Sequence, residues 1–274
     1  MSFTIKPGIM TGFVGGNGAG KTTAMRIIIG VLNQDSGTIT VDDAPITPGY
    51  RAHIGYMPEE RGLYPKMKVL DQLVYLAQLH NKTAAEAKRR GMELLERLNL
   101  ASRAQDKLEE LSLGNQQRAQ IAAAMVHDPV ALILDEPFSG LDPLAVDTTV
   151  EVLRDAAAAG APVLFSSHQL DVVERLCDEL VIIADGQVRA AGTRAEILQA
   201  TARPEWELRT TGDTSWVSTT GVPIVHHEPG YVRFIADDAE TANTVLAEAS
   251  QRGTIEHFGK ISQSLHEIFK ETIR

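Results

Sequence analysis

The sequence has little cysteine and no surplus of basic residues. Its 274 residues include one cysteine, Cys177, so an internal disulfide is excluded and a reducing, cytoplasmic setting is expected. The formal net charge of −10 disfavours a general attraction to nucleic acid or to anionic lipid. Because 43% of the residues are hydrophobic, the chain can bury a core, which excludes a disordered or collagen-like protein.

Long apolar runs are also lacking. The apolar runs, such as residues 130–134 and 163–165, are far shorter than the ~20 residues that span a bilayer, so we expect no transmembrane helix. The residues after Met1 contain no apolar signal region, which again favours a cytoplasmic chain.

Short apolar runs alternate with helical patterns through the first two thirds of the chain. Several runs lack the alternation of a half-exposed sheet, which is typical of parallel strands covered on both faces. Residues 68–128 instead carry apolar residues at three- and four-residue spacing, which indicates an inserted helical subdomain. The fold class is therefore α/β. Strands are predicted at residues 11–14, 37–41, 130–134, 163–166 and 180–184.

From about residue 204 the pattern changes to short strands and two helices. The chain is therefore predicted to consist of a domain of residues 1–201 and a small α+β accessory domain of residues 204–274. His226 and His227 are adjacent in a predicted strand and point to opposite faces, so we expect no shared metal there. In this domain, strands are predicted at 205–209, 223–226, 232–236 and near Ile255, and helices at 238–252 and from Ser262 onward.

A glycine-rich segment separates the first predicted strand from a helical run at residues 22–29. Its spacing matches a P-loop, in which backbone amides and a helix N-terminus face phosphate oxygens. Lys21 would reach the terminal phosphates, and Thr22 would offer its hydroxyl to Mg²⁺. A parallel sheet of the P-loop NTPase type is therefore predicted. The predicted nucleotide-binding residues are Gly15, Gly16, Asn17, Gly18, Ala19, Gly20, Lys21, Thr22 and Thr23.

Two adjacent carboxylates follow the apolar run at residues 131–134. In open α/β sheets, ligands bind at this end of a strand. Asp135 is predicted to hold Mg²⁺ in its outer shell, and Glu136 to polarise the water that attacks the γ-phosphate of ATP. A solvated acidic loop is the plainer alternative, but the buried run before the pair and Pro137 after it argue against that.

Three further motifs resemble those of one family, the ATP-binding subunits of ABC transporters. Residues 111–118 resemble its signature loop, residues 139–142 its D-loop and residues 166–168 its switch-histidine segment. The resemblance covers residues 1 to about 201. It implies an ATPase that uses ATP and Mg²⁺, dimerises on ATP as a homodimer or a paired subunit, and drives a separate membrane permease from the inner face of the membrane.

The resemblance also assigns residues to the dimer. Ser112 and Gly114 of one subunit would contact the γ-phosphate held by the P-loop of the other. Ser112 could equally be a helix N-cap and nothing more. His168 would sense the γ-phosphate, and with Glu136 and Lys21 it completes the predicted catalytic residues.

The sequence departs from the family pattern in three places. Glu59 stands where the family usually has a glutamine that contacts Mg²⁺ and water, so negative charge is added near the phosphates. The signature loop lacks the usual paired glycines. Both variants resemble a subclass with C-terminal extensions that mostly serves exporters, so export is favoured. No adenine-stacking aromatic precedes the strand expected around Phe3 and Ile5, which predicts weak and poorly selective adenine binding.

Two other functions remain open. A soluble ABC-type ATPase of translation or DNA repair would usually carry two cassettes or long coiled coils, and this chain has neither. The second is a regulatory module that binds nucleotide without hydrolysing it, which the missing adenine contact suggests. The presence of Lys21, Asp135, Glu136 and His168 argues against that module.

Overall fold

The computed structural model describes residues 1–60, 62–168, 170–201 and 204–261. Residues 1–194 form one compact unit, and the described residues from 195 to 261 belong to a second. Within the described ranges, every helix is too short or too polar to span a bilayer.

The larger unit is built on a six-stranded sheet. Its strand order is β4-β5-β6-β1-β7-β8, in which neighbours are parallel except for the final β7-β8 pair. The predicted α/β class is confirmed. The strands of this unit are β1 (Met10–Gly15), β2 (Thr40–Val41), β3 (Ala44–Pro45), β4 (Ile54–Met57), β5 (Ala131–Leu134), β6 (Val163–Ser167), β7 (Glu179–Ala184) and β8 (Gln187–Gly192).

Two strand predictions are wrong. The strand expected at 37–41 is reduced to β2, which turns through Asp42 and Asp43, both at positive φ, into β3. Residues 1–9 contain no strand, because the backbone around Phe3 and Ile5 pairs with no neighbouring strand. The Phe3 side chain instead packs on the core, with its ring centroid 5.1 Å from that of Phe13.

Helices cover the sheet and form the predicted insertion. Within the insertion α3, α4 and α5 pack against one another, and Thr83 begins α4 with a reciprocal capping box to Glu86. The helices of this unit are α1 (Lys21–Ile28), α2 (Pro48–Arg51), α3 (Val69–Leu79), α4 (Ala84–Arg97), α5 (Leu113–Met125), α6 (Pro143–Ala158) and α7 (Leu170–Leu176). Short 3-10 helices lie at Ala101–Arg103 and Leu108–Glu110.

Two glycines let helices pack directly on strands. A Cβ at Gly55 in β4 would lie 2.2 Å from the carbonyl oxygen of Ala124 in α5, so the backbones of these elements touch. A Cβ at Gly12 in β1 would lie 2.6 Å from Sγ of Cys177, just after α7. Burial raises the pKa of the Cys177 thiol well above its usual range, as expected for a structural cysteine.

In its described residues, the smaller unit begins with helix α8 (Arg194–Thr201) and continues as an antiparallel sheet packed against the helix Ala239–Arg252. Its strand order is β10-β11-β9-β12, and its core contains Leu208, Val232, Phe234 and Val245. Its elements are β9 (Glu205–Thr210), β10 (Ile224–Glu228), β11 (Tyr231–Ile235), α9 (Ala239–Arg252), β12 (Ile255–Lys260) and a 3-10 helix at Ser215–Thr220. The helix predicted from Ser262 onward lies outside the described residues.

The two adjacent histidines of β10 have separate partners. Nε2 of His226 lies 3.0 Å from Oε1 of Glu228, whereas Nε2 of His227 lies 3.0 Å from Oγ1 of Thr214. The two imidazoles thus contact different neighbours.

Candidate nucleotide site

The loop between β1 and α1 forms the floor of a pocket of about 480 Å³. Gly18 and Gly20 have φ values of +78° and +101°, a region in which residues with a Cβ are strained. The left-handed turns allow the loop to curl directly into the N-terminus of α1. The pocket is lined by Gly16, Asn17, Gly18, Ala19, Gly20, Lys21, Thr22, Thr23, Glu59, Asp135, Glu136 and His168.

Lys21 is the first residue of α1, and its side chain is buried. Its Nζ donates to the carbonyl of Gly15 at 2.7 Å and to that of Gly16 at 3.3 Å. Gly15 therefore contributes its carbonyl to Lys21 and does not line the pocket itself. The ammonium and the start of the helix together make this floor positive, which suits phosphate groups.

Asp135 lies at the end of β5 with a side chain that is almost fully buried. Its Oδ1 accepts a hydrogen bond from the Ser166 hydroxyl of β6, while its Oδ2 has no hydrogen-bond partner among the described residues. A buried carboxylate oxygen without a partner fits a bound cation or its water.

The pocket also fits Mg²⁺ by its composition. Thr22, Glu59 and Asp135 offer oxygen ligands, which Mg²⁺ prefers. Among the described residues no three His, Cys, Asp or Glu side chains form a metal cluster. In nucleotide sites Mg²⁺ is usually held by one or two carboxylates together with phosphate oxygens and water.

Glu136 follows Asp135 with a left-handed backbone, φ +52°. Its N–H donates to Oγ of Ser166 at 2.8 Å, and its carbonyl accepts from Nε2 of Gln117 at 2.8 Å. The side chain is turned toward His168, whose Nδ1 lies 3.0 Å from Oε2. Burial raises the pKa of Glu136, and the neighbouring His168 partly opposes this rise.

Ser112 and Gly114 do not line the pocket of their own chain. Ser112 is exposed, and its Oγ accepts from the backbone N of Asn115 at 3.4 Å, so it caps α5. A Cβ at Gly114 would lie 3.2 Å from the Gly140 carbonyl, which places the N-terminus of α5 beside the segment after Glu136. The loop therefore faces outward, where another molecule can reach it.

The ABC transporter family profile matches residues 1–139, just over half of the chain. The chain belongs to the ABC transporter family. A second profile, for the C-terminal domain of DrrA1-3-like ATP-binding proteins, matches residues 192–273.

Several ABC proteins are similar to this chain. YhaQ of Bacillus subtilis, an uncharacterized ABC transporter ATP-binding protein, is 39% identical over 265 residues, which cover 96% of this chain and 89% of YhaQ. LptB of Escherichia coli, the lipopolysaccharide export system ATP-binding protein, is 32% identical over 205 residues, which cover 73% of this chain and 85% of LptB. A solved structure of an ABC transporter ATP-binding subunit, 35% identical, matches with a TM-score of 0.66 and covers 72% of this chain and 84% of its own.

As an ATP-binding chain of the ABC family, the protein binds ATP with Mg²⁺ and hydrolyses it.

The structure gathers most of the predicted site residues around one pocket, and it places Ser112 and Gly114 apart from that pocket. Two residues that contact Glu136 are not predicted from the sequence. Ser166 and Gln117 both lie inside recognised motifs, but their importance depends on contacts with the backbone of Glu136, which the sequence does not reveal.

Proposed function

We propose that two copies of this chain, or this chain and a paired subunit, close around two ATP molecules and drive a separate membrane permease. The observation that carries the proposal is the convergence of the P-loop, Asp135, Glu136 and His168 on one pocket. Such an arrangement suits phosphoryl transfer to water, because positioning and charge stabilisation supply most of the catalysis.

Each side chain then has a distinct task. Lys21 and the loop amides hold the β- and γ-phosphates, while Thr22, Asp135 and Glu59 would hold Mg²⁺. When bound, Mg²⁺ neutralises phosphate charge. Glu136 orients the attacking water and accepts its proton.

His168 fixes the Glu136 carboxylate through their 3.0 Å contact, and because it lines the pocket it would sense the γ-phosphate of bound ATP. A base whose pKa is raised by burial is better matched to proton transfer near neutral pH.

The second nucleotide contact comes from the partner subunit. Ser112 and the N-terminus of α5 face outward, so they can complete the pocket of another copy but not their own. Residues 1–201 would form this ATPase domain. Residues 204–274 would form an accessory domain that supports or regulates the dimer.

Coupling to a permease places the protein on the cytoplasmic face of the membrane. Export is the favoured direction, because LptB, which is similar to this chain, serves an export system.

The proposal is tested by measuring Mg²⁺-dependent ATP hydrolysis in the parent chain, Lys21→Ala and Glu136→Gln. Lys21→Ala should lose ATP affinity, because a cation aimed at the phosphates is removed. Glu136→Gln should keep ATP binding, accumulate as an ATP-bound dimer on sizing, and lose turnover by about 10²- to 10⁴-fold. Parent-like turnover in Glu136→Gln would show that the base lies elsewhere, and equal ATP binding by Lys21→Ala would remove the P-loop assignment.

A further inference from the structure

The backbone of Glu136 is held in the left-handed region by contacts from three segments. Its N–H donates to Ser166 of β6, and its carbonyl accepts both the N–H of Ser139 at 3.2 Å and the side-chain amide of Gln117 at 2.8 Å. The Ser139 bond belongs to the local turn. The bonds from Ser166 and Gln117 come from separate elements of the fold. A residue with a Cβ stays at φ +52° only when its surroundings hold it there.

Gln117 is the residue that connects Glu136 to the signature loop. It lies in α5, five positions after Ser112 and three after Gly114, within the same first turns of the helix. Its side chain crosses from α5 to the segment after β5, where it reaches the peptide that carries the base. The helix that begins at the signature loop is thus hydrogen-bonded to the backbone carbonyl of Glu136 in its own chain.

We propose that Gln117 is a positioning residue that holds the backbone of Glu136 so that its carboxylate points into the pocket. This inference rests on the proposed role of Glu136 as the base. When the signature loop engages the nucleotide of the partner subunit, α5 would shift. The side-chain amide of Gln117 would pass this shift to the backbone of Glu136 in the same chain. In each subunit the position of Glu136 would then depend on whether the signature loop of that subunit is bound to the partner's nucleotide.

The direct test compares Gln117→Met with the parent chain in steady-state ATP hydrolysis by the full-length protein. Methionine keeps the length of the side chain but cannot donate to the carbonyl. We expect kcat to fall about 10- to 100-fold, since a shift of the base by about 1 Å has effects of this size. The KM for ATP should stay within about twofold, because the phosphate cradle is untouched. Gln117→Asn, whose amide is one methylene too short, should behave in the same way.

Gln72→Met is the matched control. The amide of Gln72 is also buried and donates to the carbonyls of Tyr64 and Met67, but it lies away from the pocket. Gln72→Met should keep kcat even if its unfolding midpoint falls as far as that of Gln117→Met. If the two variants lose kcat equally, or if Gln117→Met changes KM and leaves kcat intact, Gln117 does not position the base.

Combining Gln117→Met with Glu136→Gln separates this inference from the proposed function. If Gln117 acts through Glu136, the double variant should be no slower than Glu136→Gln alone. A further tenfold loss in the double variant would overturn the inference. Parent-like turnover in Glu136→Gln would instead remove the proposed function, whatever Gln117→Met does. An inactive Glu136→Gln together with a fully active Gln117→Met would remove only the role given to Gln117.

Discussion

The hydroxyl of Ser166 donates a hydrogen bond to Oδ1 of Asp135 on the neighbouring strand. Oγ of Ser166 also accepts the backbone N–H of Glu136. One buried side chain therefore holds both the carboxylate of Asp135 and the backbone of Glu136. A hydroxyl suits this position because it donates and accepts at once.

Ser166→Ala should therefore weaken both the fold and the metal site. Removing the hydroxyl leaves the N–H of Glu136 and one oxygen of Asp135 without their partner, at a cost of about 1–3 kcal/mol. Urea unfolding gives the change in stability, and a Mg²⁺ titration of ATPase activity should require more Mg²⁺ for half-maximal rate. Thr148→Ala, which truncates an exposed hydroxyl on α6, serves as the control and should change stability by less than about 0.5 kcal/mol.

Ser112→Arg should separate ATP binding from dimer formation. In the proposed dimer the exposed loop contacts only the nucleotide of the partner, so a bulky cation there should block closure while the pocket of the same chain stays intact. Sizing in the presence of ATP, in the Glu136→Gln background, should show monomers that still retain nucleotide. ATP-driven dimers of the Ser112→Arg chain would contradict the proposed contact between subunits.

His127 should make stability depend on pH. Burial, aided by the stacked ring of His80 at 3.8 Å, lowers its pKa from 6.5 to about 4. His127 takes up a proton at a higher pH in the unfolded chain than in the folded chain, so acid favours unfolding. Stability should therefore be greatest above about pH 6.5 and fall as the pH approaches 4. The loss should be on the order of 2–3 kcal/mol.

Urea midpoints measured between pH 7.5 and 4.5 test this dependence. The His127→Gln chain should show a flatter profile than the parent. His257→Gln, which removes an exposed histidine, should leave the profile of the larger unit unchanged. An unaltered slope in His127→Gln would assign the pH dependence to other groups.

Cys177 should react slowly with thiol reagents. Its thiolate is disfavoured by burial, and its sulfur packs against Gly12 of the central strand. Labelling with a chromogenic disulfide should be slow in the native chain and at least about 100-fold faster in urea, because the thiolate is the reacting form. Labelling at the rate of a free peptide thiol in native buffer would refute the structural assignment.

The sequence predicts those parts of the molecule that depend on local pattern. The central strands β1, β5, β6 and β7 are buried along their whole length and consist mostly of apolar residues, and the P-loop is a contiguous motif, so both are visible in the sequence. The strand β4 is missed because Gly55 interrupts its apolar run, although that glycine is what admits α5. The edge strand β8 is missed because its exposed residues give little hydrophobic signal.

The candidate site is predicted as a set of residues but not as a set of contacts. Gln117 lies 19 positions from Glu136, and Ser166 lies 30 positions from it, so neither hydrogen bond leaves a local signal. Both bonds also involve the backbone of Glu136, whose identity as glutamate does not reveal its φ of +52°.

At Gly55 the backbone of β4 lies directly against the carbonyl of Ala124, near the C-terminal end of α5. If α5 tilts when two subunits close, we expect the helix to pivot at this contact. With a rise of 1.5 Å per residue, Ser112 lies on a lever arm of about 18 Å and Gln117 on one of about 10 Å. Tilting the helix by about 10° about this point would carry Ser112 about 3 Å and Gln117 about 2 Å. A displacement of about 2 Å at Gln117 is large enough to make or break its hydrogen bond. The displacement of about 3 Å at Ser112 is the corresponding movement of the signature loop. The position of Gly55 along α5 therefore determines how far Ser112 moves for a given movement of Gln117. A bulkier residue in place of Gly55 would change this relation as well as the packing of α5 on β4.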